Sequence, residues 1–121
     1  MPDDRFPVTW SGRTAVVSTG VELDLTIADG LREALLDVLN AGALGLVVDM
    51  TPTTFCDSAG ISAITRAVRR AAANDATVRL AVASPAVLRV FDLVGLDRLI
   101  DVYPDASAAL ASLPEHARNV S

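Results

Sequence analysis

Four consecutive residues, Asp57-Ser58-Ala59-Gly60, place a hydroxyl beside a carboxylate at the point where a helical pattern begins. A serine at the start of a helix lies where backbone N–H groups and the positive end of the helix dipole favour an added phosphate. Phosphorylation there adds a charge of roughly −1.5 to −2. Asp and Ser are also ordinary helix caps, which stabilise a helix by ~1 kcal/mol. The residues alone therefore leave two interpretations open, a capping pair and a phosphorylation site.

The single Cys56 and the single His116 exclude most catalytic and metal chemistry. One cysteine forms neither an internal disulfide nor a cysteine-rich zinc site. One histidine in a polar tail supports neither a catalytic triad nor a multi-histidine metal site. We therefore expect no catalytic residue, no bound metal and no cofactor.

An enzymatic alternative starts from Ser58 itself, because a serine between a strand and a helix resembles the nucleophile elbow Gly-x-Ser-x-Gly. Cys56 occupies the position of the first glycine, and the only histidine that could serve as a base is in the tail. The sequence therefore favours a protein that is not an enzyme.

Composition and charge indicate a folded domain that does not bind nucleic acid directly. Hydrophobic residues make up 51% of the 121 residues and charged residues 21%, which excludes a disordered chain. The net charge is −5, and the largest basic cluster is Arg69-Arg70. Binding to nucleic acid depends on neutralising phosphates, so an acidic chain with few clustered cations is a poor candidate.

The chain offers no segment suited to a membrane. Its longest charge-free stretch, 38–48, is much shorter than the ~20 residues that span a bilayer. The first residues, MPDDRFP, lack the apolar core of a secretory signal. We therefore expect a cytoplasmic protein without membrane insertion.

Alternating strand-like and helix-like segments predict how Ser58 is positioned. The apolar run LGLVVDM at 44–50 is typical of a strand covered on both faces, and the loop after it leads into a helix over 58–73. Phe6 and Trp10 are expected to pack at the start of the sheet. The remaining spacing predicts strands at 6–10, 14–19, 77–83 and 99–103, and helices at 26–40, 85–94 and 105–113.

This alternation predicts an α/β fold in a single domain over residues 1–121, with a short polar tail at about 114–121. The first two strands are close enough to pair as a hairpin. The sheet is therefore expected to be mixed but mostly parallel, with about four to five strands flanked by about four helices.

Three blocks of the sequence together resemble the STAS domain, a family named for sulphate transporters and anti-sigma factor antagonists. The blocks are ELD at 22–24, DMTPTTFCDSAGI at 49–61, and SPAV at 84–87 followed by FDLVGL at 91–96. Their order and separation match the family over nearly the whole chain. The chain departs from the family at Ala59, where a second hydroxyl is common, and at Val21, where a glycine usually precedes ELD.

The resemblance implies a specific regulatory role. Stand-alone members bind an anti-sigma factor that is also a serine kinase, and binding releases the sigma factor. The kinase phosphorylates the serine that corresponds to Ser58, after which binding is lost, and a phosphatase restores it. Asp24, Asp57, Ala59 and Gly60 are then the neighbours of the phosphorylated side chain.

A partner surface is expected on the same helix as Ser58. A stripe formed by Ile61, Ile64, Val68 and Ala71 should face the sheet. The candidate partner residues lie on the side of Ser58, away from that stripe; they are Ser62, Thr65, Arg66 and Arg69. The plain alternative is a solvated polar face. An alternative function for the whole chain is a soluble STAS subunit of a transporter or stress-signalling complex, since fold alone does not fix function.

Overall fold

The structure is a computed structural model and describes residues 5–118. Its elements, in chain order, are β1 Val8–Ser11, β2 Thr14–Ser18, β3 Glu22–Leu23, α1 Leu25–Asn40, β4 Gly45–Met50, β5 Phe55–Cys56, α2 Ser58–Ala73, β6 Thr77–Val82, α3 Pro85–Val94, α4 Leu96–Leu99, β7 Asp101–Tyr103, α5 Ala106–Ala111 and α6 Glu115–Arg118. No helix within this range is long and apolar enough to cross a bilayer.

The main sheet has five strands in the order β1-β2-β4-β6-β7. β1 runs antiparallel to β2, and the remaining pairs are parallel. The hairpin between β1 and β2 turns at Gly12, whose φ of 59° is a conformation that glycine adopts without steric cost. The predicted mixed, mostly parallel α/β sheet is confirmed. A second sheet, formed by the short parallel pair β3 and β5, was not predicted.

The strand β4 shows how the two faces of the main sheet are filled. Leu46, Val48 and Met50 alternate onto the face covered by α1, α2 and α3, where the larger core lies. Val47 points to the opposite face, where a smaller cluster is covered by α5 and α6. Both faces are buried, which accounts for the uninterrupted apolar run in the sequence.

Most of the predicted helix boundaries agree with the structure. The helices expected at 58–73 and 85–94 have those bounds, and the helix expected from Thr26 begins at Leu25. Two four-residue helices, α4 and α6, bring the number of helices within residues 5–118 to six.

The first strand and the C-terminal segment differ in part from what the sequence predicts. Trp10 was expected to pack at the start of the sheet, but its side chain is 49% exposed because all four residues of the edge strand β1 are exposed. The expectation was therefore wrong for Trp10. It is confirmed for Phe6, which is buried. The segment predicted as a polar tail contains α6, whose Ala117 is buried against the sheet. Residues 119–121 of that tail lie outside the described residues, as do residues 1–4.

Candidate functional site

The small sheet places two helix starts side by side. β3 and β5 pair in parallel with Leu23 opposite Cys56, and the N–H of Asp57 donates to the carbonyl oxygen of Leu23 at 3.0 Å. The residue after each strand is the N-cap of the helix that follows, Asp24 for α1 and Asp57 for α2. The two N-caps are therefore neighbours because their strands are paired.

At the start of α2, the carboxylate of Asp57 is hydrogen-bonded, whereas Ser58 is exposed. Oδ1 of Asp57 accepts hydrogen bonds from the backbone N–H groups of Ala59 at 2.9 Å and Gly60 at 3.2 Å. Ser58 is the first residue of α2 and is exposed to solvent. Asp57 therefore caps α2 with its carboxylate.

Asp24 caps α1 in a similar way. Its Oδ1 accepts from the backbone N–H of Thr26 at 2.9 Å and from the Thr26 hydroxyl at 2.5 Å. The Thr26 hydroxyl, helped by the backbone N–H groups of Thr26 and Ile27, holds the pKa of Asp24 below its usual value. Asp24 is thus a carboxylate at neutral pH, and a second fixed negative charge lies close to the start of α2.

Gly60 allows α2 to begin against β3. A Cβ at this position would lie 2.9 Å from the carbonyl oxygen of Leu23 and 3.0 Å from Sγ of Cys56. Contacts this close to a backbone atom force the neighbouring chain to shift, so a side chain here conflicts with the pairing of the two strands. The glycine of the Asp-Ser-Ala-Gly turn therefore has a packing role.

Hydrogen bonds of buried threonine hydroxyls connect the loop before Ser58 to the segment before β3. The sequence did not predict these contacts. Thr53 is fully buried, and its hydroxyl donates to the carbonyl oxygen of Gly20 at 2.6 Å and shares a 2.6 Å hydrogen bond with the Thr19 hydroxyl. The N–H of Thr54 donates to the carbonyl oxygen of Val21 at 2.8 Å. Threonine in a polar loop has no distinctive pattern, so only the fold reveals this connection.

The thiol next to the site is not set up as a nucleophile. Burial, with a smaller contribution from the charge of Asp57, raises the pKa of Cys56 to about 11. The thiol is therefore protonated at neutral pH, whereas the thiolate is the reactive form. His116 lies on α6, which packs on the other face of the main sheet from α2. Within residues 5–118 no three potential metal ligands form a group.

The four predicted partner residues differ in their surroundings. Ser62, Arg66 and Arg69 are exposed on α2. Thr65 is half-buried, and its hydroxyl donates to the carbonyl oxygen of Ile61 at 2.9 Å, within its own helix. The three exposed side chains can reach a partner, while Thr65 has its hydrogen bond satisfied internally.

Large apolar side chains surround the site and were not singled out from the sequence. Leu25 is 76% exposed, Val21 58% and Phe55 51%, and all three lie on the short strands or at the turns that carry the two N-caps. Exposed apolar groups that adjoin a polar site are typical of binding surfaces. The signal available in the sequence was the position of Leu25 outside the apolar stripe of its helix.

Comparison with protein families gives one match over most of the chain. The model of the STAS domain matches residues 6–109.

Comparison with solved structures gives neighbours of nearly the same length. An anti-sigma factor antagonist from Mycobacterium paratuberculosis has a TM-score of 0.81 and 25% identity, covering 88% of this chain and 91% of that one. The anti-sigma factor antagonist SpoIIAA in its unphosphorylated form has a TM-score of 0.73 and 24% identity, covering 85% and 91%. The Bacillus cell fate determinant SpoIIAA in its phosphorylated form has a TM-score of 0.67 and 23% identity, covering 85% and 95%. The similarity to the SpoIIAA structures is a similarity of fold.

Proposed function

Because this chain belongs to the STAS domain family, we propose that it is an anti-sigma factor antagonist controlled by phosphorylation of Ser58. In its unphosphorylated form it binds an anti-sigma factor that has serine kinase activity, and so releases a sigma factor. Phosphorylation by that kinase ends binding, and a phosphatase restores it. The protein acts in the cytoplasm, where the kinase has ATP.

The exposed hydroxyl of Ser58 at the first position of α2 is the observation that carries this proposal. Asp57 has its carboxylate engaged by two backbone N–H groups, and Gly60 is packed against β3. Ser58 can therefore be modified without removing the cap or the packing of the turn. By contrast, Thr53 in the preceding loop is buried and hydrogen-bonded, which makes it a poor acceptor.

Loss of binding follows from the charge that a phosphate brings to this surface. A phosphoserine carries roughly −1.5 to −2 at pH 7 and would lie beside Asp24 and Asp57. A partner that covers Leu25 and Phe55 must then remove water from the phosphate as well. An unpaired charge buried at an interface costs several kcal/mol, which corresponds to a loss of 100-fold or more in affinity.

A binding role is favoured over a hydrolase because the two carboxylates beside Ser58 are engaged as helix caps and no histidine lies near it. The only histidine is on α6, on the other side of the main sheet, and the pKa of the neighbouring Cys56 is raised by burial. A serine hydroxyl is a weak nucleophile without an adjacent base.

The first experiment identifies the partner and the modified residue. Unphosphorylated protein is used to capture partners from the source organism, and the captured fraction is incubated with ATP before phosphopeptide mapping. We expect an anti-sigma factor in the captured fraction and phosphate on Ser58. Phosphate on Ser62 or Thr54 with Ser58 unmodified would contradict the site, and capture of transporter components alone would favour the alternative STAS role.

The second experiment tests the switch by calorimetry with the captured partner. Ser58→Ala should retain binding, whereas Ser58→Asp should weaken it strongly. Ser107→Asp is the matched control, because Ser107 is also an exposed serine in the first turn of a helix capped by an aspartate, but α5 lies on the other face of the sheet. Equal affinity for the wild type and the Ser58→Asp variant would show that charge at Ser58 does not control binding.

A further inference from the structure

A groove runs between α1 and α2, beginning at the turn of Ser58. The two helices lie parallel, since their N-caps adjoin and the side-chain amide of Asn74 after α2 donates to the carbonyl oxygen of Leu39 near the end of α1, at 3.5 Å. Two depressions of about 270 and 400 Å³ lie along this groove and share the side chain of Arg66. The groove therefore extends over much of two 16-residue helices, each ~24 Å long.

The charge of the groove is opposite to that of the whole chain. Four of the ten arginines line it, Arg32 from α1 and Arg66, Arg69 and Arg70 from α2. The one carboxylate in the lining, Asp29, is paired with Arg32 at 3.5 Å. Among residues 5–118, no carboxylate forms an ion pair with the three arginines of α2. A local charge of +3, from four arginines and one aspartate, thus lies on a chain of net charge −5.

The apolar part of the lining consists of small and aliphatic side chains. Ala28 and Ala63 are buried at the floor of the groove, and Leu36 is half-buried beside them. The exposed side chains of Leu25 and Ala73 lie at the two ends. A basic rim over a floor of small and aliphatic side chains fits a helix that has acidic residues along the edges of an apolar stripe. The lining residues include no aromatic side chain, whereas surfaces for single-stranded nucleic acid stack bases on aromatic rings.

We propose that the α1–α2 groove docks an acidic, amphipathic helix of the partner protein, as a contact that begins beside Ser58 and continues along both helices. This rests on the proposed function only in assuming that the chain acts by binding another protein. The groove gives selectivity among partners through charge, whereas the state of Ser58 decides whether any partner is held. Docking weakens as salt rises because exposed ion pairs are screened.

The test uses a synthetic helical peptide of Ala, Leu and Glu, blocked at both ends, with its Glu residues flanking a Leu stripe. Its length of about 16 residues matches the groove. Amide chemical shifts of the full-length protein are followed by NMR as peptide is added. We expect shifts on Arg32, Ser62 and Arg66, and an affinity that falls as salt is raised. A peptide with Lys in place of every Glu is the matched probe and should not bind the groove.

Two triple variants with the same change in net charge distinguish the contribution of the groove arginines to peptide binding from the effect of overall charge. The groove variant is Arg66→Gln, Arg69→Gln and Arg70→Gln; the control is Arg13→Gln, Arg89→Gln and Arg98→Gln, which changes three exposed arginines elsewhere. Three lost surface ion pairs predict about tenfold weaker peptide binding for the groove variant. The control should lose less than about threefold, an effect of long-range charge alone.

Several outcomes would overturn the docking proposal. These are no shifts at millimolar peptide, shifts confined to another surface, equal binding of the Lys peptide, or equal losses in the two triple variants. A single-stranded oligonucleotide that binds the same arginines more tightly than the acidic peptide would make the groove a nucleic-acid surface instead. All measurements use unphosphorylated protein without kinase and are repeated with Ser58→Ala, so a failed groove and a failed phosphorylation switch give different results.

Discussion

At the scale of single residues, Gly60 lets α2 begin in close contact with β3, the strand that precedes the N-cap Asp24. Alanine elsewhere in a helix is favoured over glycine by roughly 0.5–1 kcal/mol. Here the added Cβ would lie 2.9 Å from the carbonyl oxygen of Leu23, a backbone atom that cannot rotate away. Overpacking of this kind costs typically 1–3 kcal/mol, so the steric term exceeds the gain in helix propensity.

Gly60→Ala should therefore lower the free energy of unfolding by ~1–2 kcal/mol, measured by denaturant titration. The same variant should weaken partner binding, because the shift displaces β3 and with it the N-cap Asp24. Gly20→Ala is the control, since nothing lies within 4 Å of the Cβ that it would add and its unfolding free energy should change little. A Gly60→Ala protein as stable as the wild type would show that the turn relaxes freely.

Because the thiol of Cys56 is buried, we expect the free energy of unfolding to depend on pH in the alkaline range. Burial raises its pKa to about 11, whereas an unfolded thiol titrates at ~8.5. A raised pKa means that the protonated thiol is favoured by folding, so this contribution is fully present below pH ~8.5 and is lost as pH rises through about 11. The free energy of unfolding should decrease across this window more steeply in the wild type than in Cys56→Ala. Parallel pH profiles for the two proteins would place the pKa of the folded thiol near its ordinary value.

At the scale of elements, the sheet formed by β3 and β5 decides which helix ends meet. Each of these strands is two residues long, too short to show an alternating pattern in the sequence.

The longer elements were predictable, because β4 carries an unbroken apolar run and α2 has a clear apolar stripe with Ile64 and Ala71 buried. Ser58 and Asp57 were placed correctly at the start of α2. The contacts of Thr53 with Thr19 join residues 34 positions apart and leave no local signal.

The hydroxyl pair of Thr19 and Thr53 gives a test of how firmly the loop before Ser58 is held. Thr53→Val keeps the shape but leaves the carbonyl oxygen of Gly20 without its 2.6 Å donor, so it should cost ~1–3 kcal/mol of unfolding free energy. Thr19→Val should be destabilising too, and the double variant should cost less than the sum, since the two hydroxyls bond each other. Thr9→Val, at an exposed site on β1, serves as the control. Strict additivity of the two changes would show that the hydrogen bond between them contributes nothing.

At the scale of the whole molecule, the proposed phosphorylation of Ser58 should change the surface and leave the fold intact. The positive ends of α1 and α2 favour a phosphate by ~0.3–1 kcal/mol each when exposed. Asp24 and Asp57 oppose it with screened repulsions of similar size. These terms largely cancel, and both are small beside the ~5–15 kcal/mol by which a domain of this kind is stable.

We therefore expect phosphorylated and unmodified protein to have the same backbone structure and melting temperatures within about 5 °C of each other, since ~1 kcal/mol shifts a domain of this size by only a few degrees. Hydrogen exchange at the amides of Asp57 and Thr54 reports whether β3 and β5 stay joined, because these N–H groups donate to the carbonyl oxygens of Leu23 and Val21. Gly60→Ala is the positive control, as it disturbs the same pairing by a steric route. If phosphorylation instead lowered the melting temperature as far as growth temperature and exposed these amides, loss of partner binding would be a consequence of unfolding. Protection that is unchanged while partner affinity falls 100-fold would place the whole effect at the surface, where a phosphate beside two carboxylates meets the apolar side chains that a partner must cover.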